Sequence, residues 1–479
     1  MALSRNILIP LIVACALFME QIDSTVIATS LPVLATDMNV DPLALKLALT
    51  SYMVSLAVFI PISGWVADRF GAQTVFRSAI GIFMLGSILC GISQTLPEFV
   101  AARFFQGIGG AMMVPVGRLV ILRSVNKADL VQALAYLSMP AMLGPVIGPP
   151  LGGFITTYFH WRWIFFINIP ISVLGIYLAT RFIDNMYGEK PQPLDWPGFV
   201  LSALGCSLLM LGLATEGRHL ISFEASLTCI VLGVLALIAY VWHFRRTPYP
   251  LLDLRLLRIS TLRVSVIGGS LFRIGVGALP FLLPLLMQLG FGLSAFHSGL
   301  LTCASAIGVI FIKTIMVRVL KRFGFRRVLV YNTFFGAASL AVIGLFTSNT
   351  PYAVMMIVLL FGGCFRSIQF TSVNALAYAD IPAKDLSQAT SMASVAQQLS
   401  IGLGVTIGGL ALQASMGWQG HATLVAADFW PAFLAVAIIS ASSVLFNLSL
   451  ARDAGAELAN RPSRRKPAKS ASQQDPAAH

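Results

Sequence analysis

Fourteen apolar stretches follow one another along this chain, each close to the roughly 20 residues that a helix needs to cross a bilayer. They fall near 7–30, 45–66, 75–95, 98–121, 132–156, 162–182, 196–215, 225–244, 262–287, 296–318, 328–347, 351–376, 392–415 and 429–450. Hydrophobic residues are 57% of the 479 and charged ones only 11%, whereas a soluble protein carries about 25% charged residues. Inside hydrocarbon the backbone has no water to bond, so such stretches must be helical. The fold expected is therefore an all-α polytopic membrane protein. The stretch from Ile7 to Phe18 stays apolar through Thr25 to Leu31 with no small-residue cleavage site, so it reads as a first span and not as a signal peptide.

One span is unusual. Gly144 to Gly153 reads GPVIGPPLGG, four glycines and three prolines in ten residues. In water each interior Gly would cost a helix about 1 kcal/mol and each Pro about 3. In a bundle, neighbouring helices take up the freed backbone groups. Gly144, Gly148 and Gly152 recur every four residues, leaving one face without side chains on which another backbone can lie.

Basic residues orient the spans. Arg69 and Arg77, Arg123 and Lys127, Arg181 and Lys190, the group Arg245, Arg246, Arg255 and Arg258, and the group Lys321, Arg322, Arg326 and Arg327 share one side with both termini. The other side holds only Lys46, Arg162 and Arg218. By the positive-inside rule both termini are cytoplasmic. This load accounts for most of the net charge of +13, and no nucleic acid is needed to explain it. From Arg452 onward the chain turns polar, with RRKPAK at its centre, and reads as a disordered cytoplasmic tail.

The six cysteines, Cys15, Cys90, Cys206, Cys229, Cys303 and Cys364, lie inside spans without metal-ligand spacing, so neither a disulfide nor a metal site is expected. His160, His219, His243, His297 and His421 fall near span ends, and no nucleophile with a base stands out. The phosphate-binding pattern G-x-x-x-x-G-K-[ST] is missing from the sequence, which argues against direct use of ATP. An enzyme is not expected.

The chain repeats itself. GWVADRFGAQTVF (Gly64 to Phe76) and VRVLKRFGFRRVL (Val317 to Leu329) share RFG at an offset of 253 residues, and ADLVQA (Ala128 to Ala133) resembles KDLSQA (Lys384 to Ala389) at an offset of 256. Two matches at nearly one offset argue for duplication, with the seventh and eighth spans inserted between the copies. The expected organisation is a six-helix half over 1–190, two inserted helices over 191–250, a second six-helix half over 251–451 and the tail over 452–479.

Five stretches carry a family resemblance: DSTVIATSLP (Asp23 to Pro32), GWVADRFG (Gly64 to Gly71), ARFFQGIGGAMMVPVGR (Ala102 to Arg118), GPVIGPPLGG, and WRWIFFINIP (Trp161 to Pro170). Together they resemble the major facilitator superfamily, specifically its fourteen-helix drug:proton antiporter subfamily and the MdtD-type multidrug exporters within it. The resemblance spans all fourteen helices. It implies proton-coupled export of drugs or other amphipathic small molecules across a bacterial inner membrane by a monomer whose partners are substrate, protons and lipid, with no cofactor beyond the proton gradient. It also implies that the Gly144, Pro145, Gly148, Pro149 and Gly152 helix packs between the halves as a bendable hinge, and that the loop Gly64, Asp68, Arg69, Gly71 locks one side. After Gly71 this chain reads Ala72-Gln73 where the family pattern has two basic residues, and Lys321 stands at the position of Asp68 in the second half.

Ionisable residues inside spans are costly and so are candidates for function. Here they are Glu20, Asp23, Arg103, Arg273, Lys313 and Arg366. Asp23 lies about 16 residues, or about 24 Å, from the inner end of the first span. Arg103 enters about five residues from the outer end of the fourth, so within a core of about 30 Å the two reach similar depth. An Asp23–Arg103 pair would hold the acid ionised, and loss of the arginine would leave a buried carboxylate that takes up a proton. Glu20, one turn earlier, is a second acid or a contact for a cationic substrate. Asp68 is expected to pair with Arg69 or Arg77 or to cap the positive N-terminus of the third span or of a neighbour. Arg273 and Arg366 face no carboxylate in the second half, which hints at an anionic substrate such as an organic anion or a citrate–metal chelate. Lys313 is expected to snorkel to the membrane edge.

Overall fold

A computed structural model describes residues 5–40, 42–188, 192–216, 222–421 and 424–459. Among them the chain is helical, with no strand. The first unit contains α1 (Arg5–Asp37), α2 (Pro42–Phe59), α3 (Ser63–Phe70), α4 (Ala72–Ile92), α5 (Leu96–Ser124), α6 (Leu130–Tyr158), α7 (Trp163–Phe166) and α8 (Asn168–Phe182). A hairpin of α9 (Trp196–Glu216) and α10 (Phe223–Arg246) follows. The second unit contains α11 (Ser260–Arg263), α12 (Gly269–Leu285), α13 (Ala295–Lys313), α14 (Met316–Phe323), α15 (Phe325–Gly344), α16 (Tyr352–Leu376), α17 (Leu386–Gln419) and α18 (Ala426–Leu448).

Among the described residues eleven helices are long and apolar enough to cross a membrane, or up to thirteen if the pairs α2–α3 and α13–α14, each bent by 59°, are each one span. Helix α6, 29 residues without a charged side chain, occupies the place of the fifth expected span. Lys190, Arg218, His219 and residues 460–479, with the RRKPAK run, lie outside the described residues.

The sequence repeat reappears as backbone geometry. RFG ends α3 at Gly71 with φ +89° and ends α14 at Gly324 with φ +78°, a region that glycine enters without a Cβ penalty. A 3₁₀ turn at Lys127–Asp129 leads into α6, and another at Ala383–Asp385 leads into α17. The α9–α10 hairpin leans on both units: α9 packs on α2 and α17, and Thr406 Oγ1 donates to the Leu213 carbonyl at 2.9 Å.

The units meet on the face that carries the basic loops. Helix α3 lies on α17, α5 on α17, and α6 on α13 and α16. Residues just beyond α18, which the sequence assigns to a disordered tail, fold back over this face: Leu458 is buried, and Glu457 pairs with Lys127 at 3.2 Å. The apolar Leu450 and Leu458 find cover there in the same core as Leu130 and Leu134.

The glycine-rich helix is corrected in one respect. Its bare face is turned to α1 of its own unit, where Thr25 Oγ1 donates to the Gly144 carbonyl at 3.2 Å. A Cβ on Gly144 would come within 2.6 Å of Gln21 Cβ, and one on Gly148 would strike the Thr25 side chain. Contact with the second unit is made earlier in α6, through Ser138. The helix runs unbroken from Leu130 to Tyr158, Gly152 is buried, and the side chains of Pro145 and Pro149 lie outside the described residues. Close packing against α1 is thus the physical use of the glycines. Gly148→Leu is expected to push α1 from α6 at a cost of about 1–3 kcal/mol and to stop turnover, because α1 carries Asp23. Native turnover by the purified variant in proteoliposomes would contradict this.

Candidate substrate and proton site

Helix α5 is fixed at its start by Glu98, whose carboxylate accepts from the backbone N–H of Gln94 at 2.9 Å and of Thr95 at 3.3 Å. That anchor at the N-terminus suits the helix dipole and sets the depth of Arg103 and Gln106, one turn apart. Gly86 of α4 lets α5 come close, since a Cβ there would sit 2.5 Å from Gln106 Cα.

The geometry brings Asp23 and Arg103 together as the depth argument requires. Arg103 Nη1 meets Asp23 Oδ2 at 2.6 Å, and both residues are buried. The other carboxylate oxygen, Oδ1, accepts from Gln106 Nε2 at 3.1 Å and Asn168 Nδ2 at 2.9 Å. Both amides also donate to Ser87 Oγ, at 2.7 and 3.1 Å, and Arg103 Nη1 donates to Gln106 Oε1 as well. The guanidinium lies over the Tyr52 ring, 4.4 Å from its centroid, while Arg103 Nε and Nη2 have no partner among the described residues. Tyr52 Oη donates to Glu20 Oε1 at 3.2 Å, and Gln21 Nε2 to Oε2 at 3.2 Å. Glu20 and Asp23 thus belong to one buried network drawn from α1, α2, α4, α5 and α8. Sequence reasoning missed Tyr52, Ser87, Gln106 and Asn168. Gln106 stands three residues after Arg103 in ARFFQGIGGAMMVPVGR, and Asn168 lies in WRWIFFINIP, so spacing alone could have raised both.

At the basic face Asp68 joins three elements. Its Oδ1 pairs with Arg123 Nη2 of α5 at 2.7 Å, its Oδ2 accepts from Ser387 Oγ at the start of α17, and its backbone carbonyl accepts from Gly188 N at 3.1 Å. The pairing with Arg69 or Arg77 is corrected: Arg69 is exposed, and Arg123 is the partner. Asp68 also reaches α17, through the side-chain hydroxyl of Ser387 and not as a cap on backbone N–H groups. Gly64 lies at a crossing and not at a turn, its N–H donating to Ser391 Oγ of α17 at 2.8 Å. Gln73, where the family has a basic residue, donates to the carbonyls of Ala179, Thr180 and Ile183 at 3.2, 3.1 and 2.7 Å, capping the end of α8 without charge.

The cations of the second unit face no carboxylate among the described residues and are partnered by neutral groups. Arg273 Nη2 donates to Asn374 Oδ1 at 3.0 Å, and its guanidinium stands 5.9 Å from the Phe370 ring centroid. Arg366 Nη2 donates to Ser305 Oγ, while its Nη1 is buried without a partner among the described residues. Asp380 and Asp428 are engaged at helix ends, with Thr261 at 3.1 Å and His421 at 2.8 Å. Lys313 does not snorkel. Its Nζ turns inward to Ser138 Oγ of α6 at 2.6 Å and to Thr371 Oγ1 of α16, because its position around α13, and not its distance from the helix end, sets its direction.

The sequence profile of the Major Facilitator Superfamily matches residues 13–258 and 265–476. The chain belongs to the major facilitator superfamily. A superfamily member is a multi-pass membrane transporter and not an enzyme. A relative from Pectobacterium atrosepticum bearing the name multidrug resistance protein MdtD is 41% identical over 401 residues, covering 84% of this chain and 86% of the relative. One of the same name from Serratia proteamaculans is 41% identical over 406 residues, covering 83% of each. The fold resembles the proton:xylose symporter XylE, with TM-score 0.66 and 15% identity over 95% of this chain and 98% of that one. It also resembles the human organic anion transporter MFSD10, with TM-score 0.65 and 13% identity over 93% and 100%. At such identities the two structures attest the superfamily fold alone.

Proposed function

We propose that this transporter is a proton-coupled antiporter that exports drugs or other amphipathic small molecules across a bacterial inner membrane, with the basic face and both termini in the cytoplasm. The observation that carries the reading is the Asp23–Arg103 pair. One guanidinium nitrogen alone holds the carboxylate, and two others stand buried and free of partners among the described residues. A substrate group or a helix movement that draws Arg103 away leaves a carboxylate in low dielectric, which then binds a proton. Gln106 and Asn168 stay on Asp23 Oδ1 and hold it in place during the exchange. Glu20 supplies a second acid for a cationic substrate. The names of the MdtD relatives support drug export, and the positive-inside pattern supports the orientation. The working unit is a monomer, and the proton gradient replaces any cofactor.

A second reading, export of an organic anion or a metal chelate such as a citrate complex, has its own observation: Arg273 and Arg366 are buried with neutral partners only among the described residues. Inside-out vesicles energised with a proton gradient and challenged with lipophilic cations or with citrate test both. Substrate-induced alkalinisation of the lumen marks antiport, and its absence with every compound overturns the proposal. Two variants separate the readings. With a cation exporter, Glu20→Gln loses cation binding and Arg273→Ala changes little. With an anion exporter, Arg273→Ala weakens anion binding by about 2–5 kcal/mol, the cost of truncating one partner of a buried charge contact.

A further inference from the structure

Two cations, the buried Arg118 and the half-buried Lys313, cross the seam between the units on the basic face, and they do so reciprocally. On one side Arg118 of α5 reaches into the second unit, donating to Tyr378 Oη at 3.2 Å and Gln397 Oε1 at 3.3 Å. On the other side Lys313 of α13 reaches into the first unit, donating to Ser138 Oγ of α6 at 2.6 Å. The internal repeat makes the exchange explicit. Thr371 of α16 stands 253 residues after Arg118, the offset of the RFG repeat. Where α5 presents a guanidinium, α16 presents a hydroxyl, and the charge on that side comes from α13 instead.

The partners differ in a way that bears on movement. Tyr378 and Gln397 both belong to the second unit, so Arg118 loses both when the units part. Lys313 has one partner on each side: Ser138 across the seam and Thr371 at home. An ammonium has three donors and no acceptor, so on opening it keeps Thr371 and exchanges Ser138 for water in the widening vestibule. Hydrogen bonds with one charged member are stronger than neutral ones, yet a hydroxyl does not hold the cation as a buried carboxylate would. The contact is strong enough to favour closure and weak enough to break on each cycle.

We propose that Lys313 is a positioning residue of the transport cycle, the reversible latch of the basic-side gate, which ties the second unit to Ser138 of the first and sets how often that face opens. The inference is independent of what is carried and of proton coupling. The test reads opening at a distance from the latch. Ser391, buried beneath α3 on the opposite seam, is replaced by cysteine in a variant lacking the six native cysteines, and its alkylation by a hydrophilic maleimide is timed in nanodiscs. Lys313→Met keeps the stem and removes the charge, and labelling is expected to speed up about tenfold or more, the population shift that loss of one charge-assisted hydrogen bond produces. Ser138→Ala is expected to act in the same direction, and Ser138→Thr to restore the parent rate. A purely structural role would lower thermal stability without changing the labelling of a cysteine on the far seam. Should Lys313→Met fail to fold, Lys313→Gln takes its place, because Ser138→Ala also removes the direct contact of Ser138 Oγ with Thr371 Oγ1 at 3.0 Å. Labelling at or below the parent rate in Ser138→Ala overturns the proposal.

Discussion

Asp23→Asn is expected to abolish uphill transport while leaving the protein folded and able to exchange substrate down its gradient. The side chain keeps its shape and one acceptor oxygen, but it can no longer gain and lose a proton. Removing one partner of a buried ion pair typically destabilises by about 3–5 kcal/mol, and the retained acceptor for Arg103 puts this variant at the low end. The amide also turns an –NH₂ toward the donors of Gln106 and Asn168, which now meet Asp23 Oδ1 at 3.1 and 2.9 Å. The double variant Asp23→Asn/Arg103→Gln removes the stranded cation, and it should recover much of the lost stability and none of the coupling. Thermal midpoints and proton-driven accumulation in proteoliposomes, measured on both variants, separate the two effects. Uphill accumulation at the native rate in Asp23→Asn would remove this residue from the coupling step.

How far this site could be read from sequence follows the energetics of its parts. Asp23 and Arg103 are legible because a charge in an apolar span is expensive and therefore conspicuous, and because 1.5 Å per residue turns chain position into depth. Ser87, Gln106 and Asn168 carry no such cost on inspection, yet they supply the hydrogen bonds that fix the carboxylate. Lys313 shows the limit of the depth argument, since rotation about α13 decides whether its stem runs to the membrane edge or into the seam. Arg273 and Arg366 lack carboxylate partners as expected, but Asn374 and Ser305 meet them, and neutral partners leave no signature in a charge count. Asp68 fails differently: Arg123 is 55 residues away and Ser387 is 319, a convergence that only the packing of α3, α5 and α17 creates. The helical membrane fold was legible, because span length is a collective signal. The folded stretch 452–459 was not, because Leu458 alone does not stand out from a polar tail.

Gly64→Val is expected to hold the basic face open and to stop transport. A Cβ on Gly64 would lie 2.5 Å from the Ser387 carbonyl oxygen and 2.7 Å from Ser391 Oγ. The hydroxyl can rotate away, but the carbonyl belongs to the first turn of α17 and cannot. Helix α3 must then withdraw, and with it go the Ser63–Ser391 contact at 2.9 Å, the Gly64–Ser391 bond at 2.8 Å and the Asp68–Ser387 bond. All three join the two units, so their loss falls on the closed state and spares the open one. A bias of about 1–3 kcal/mol between two states is about 5- to 150-fold in their populations, and the overpacking adds to it. The exposed Lys127–Glu457 pair, 3.2 Å apart across the same face, offers a gauge that needs no transport assay. Cysteines at both positions should be bridged by a short bis-maleimide readily in the parent and slowly in Gly64→Val, with Gly64→Ala between them, because the smaller side chain meets the same carbonyl with less bulk behind it. If Gly64→Val cross-links at the parent rate and still turns over, the bend between α2 and α3 absorbs the extra atoms and the crossing at Gly64 is not part of the gate.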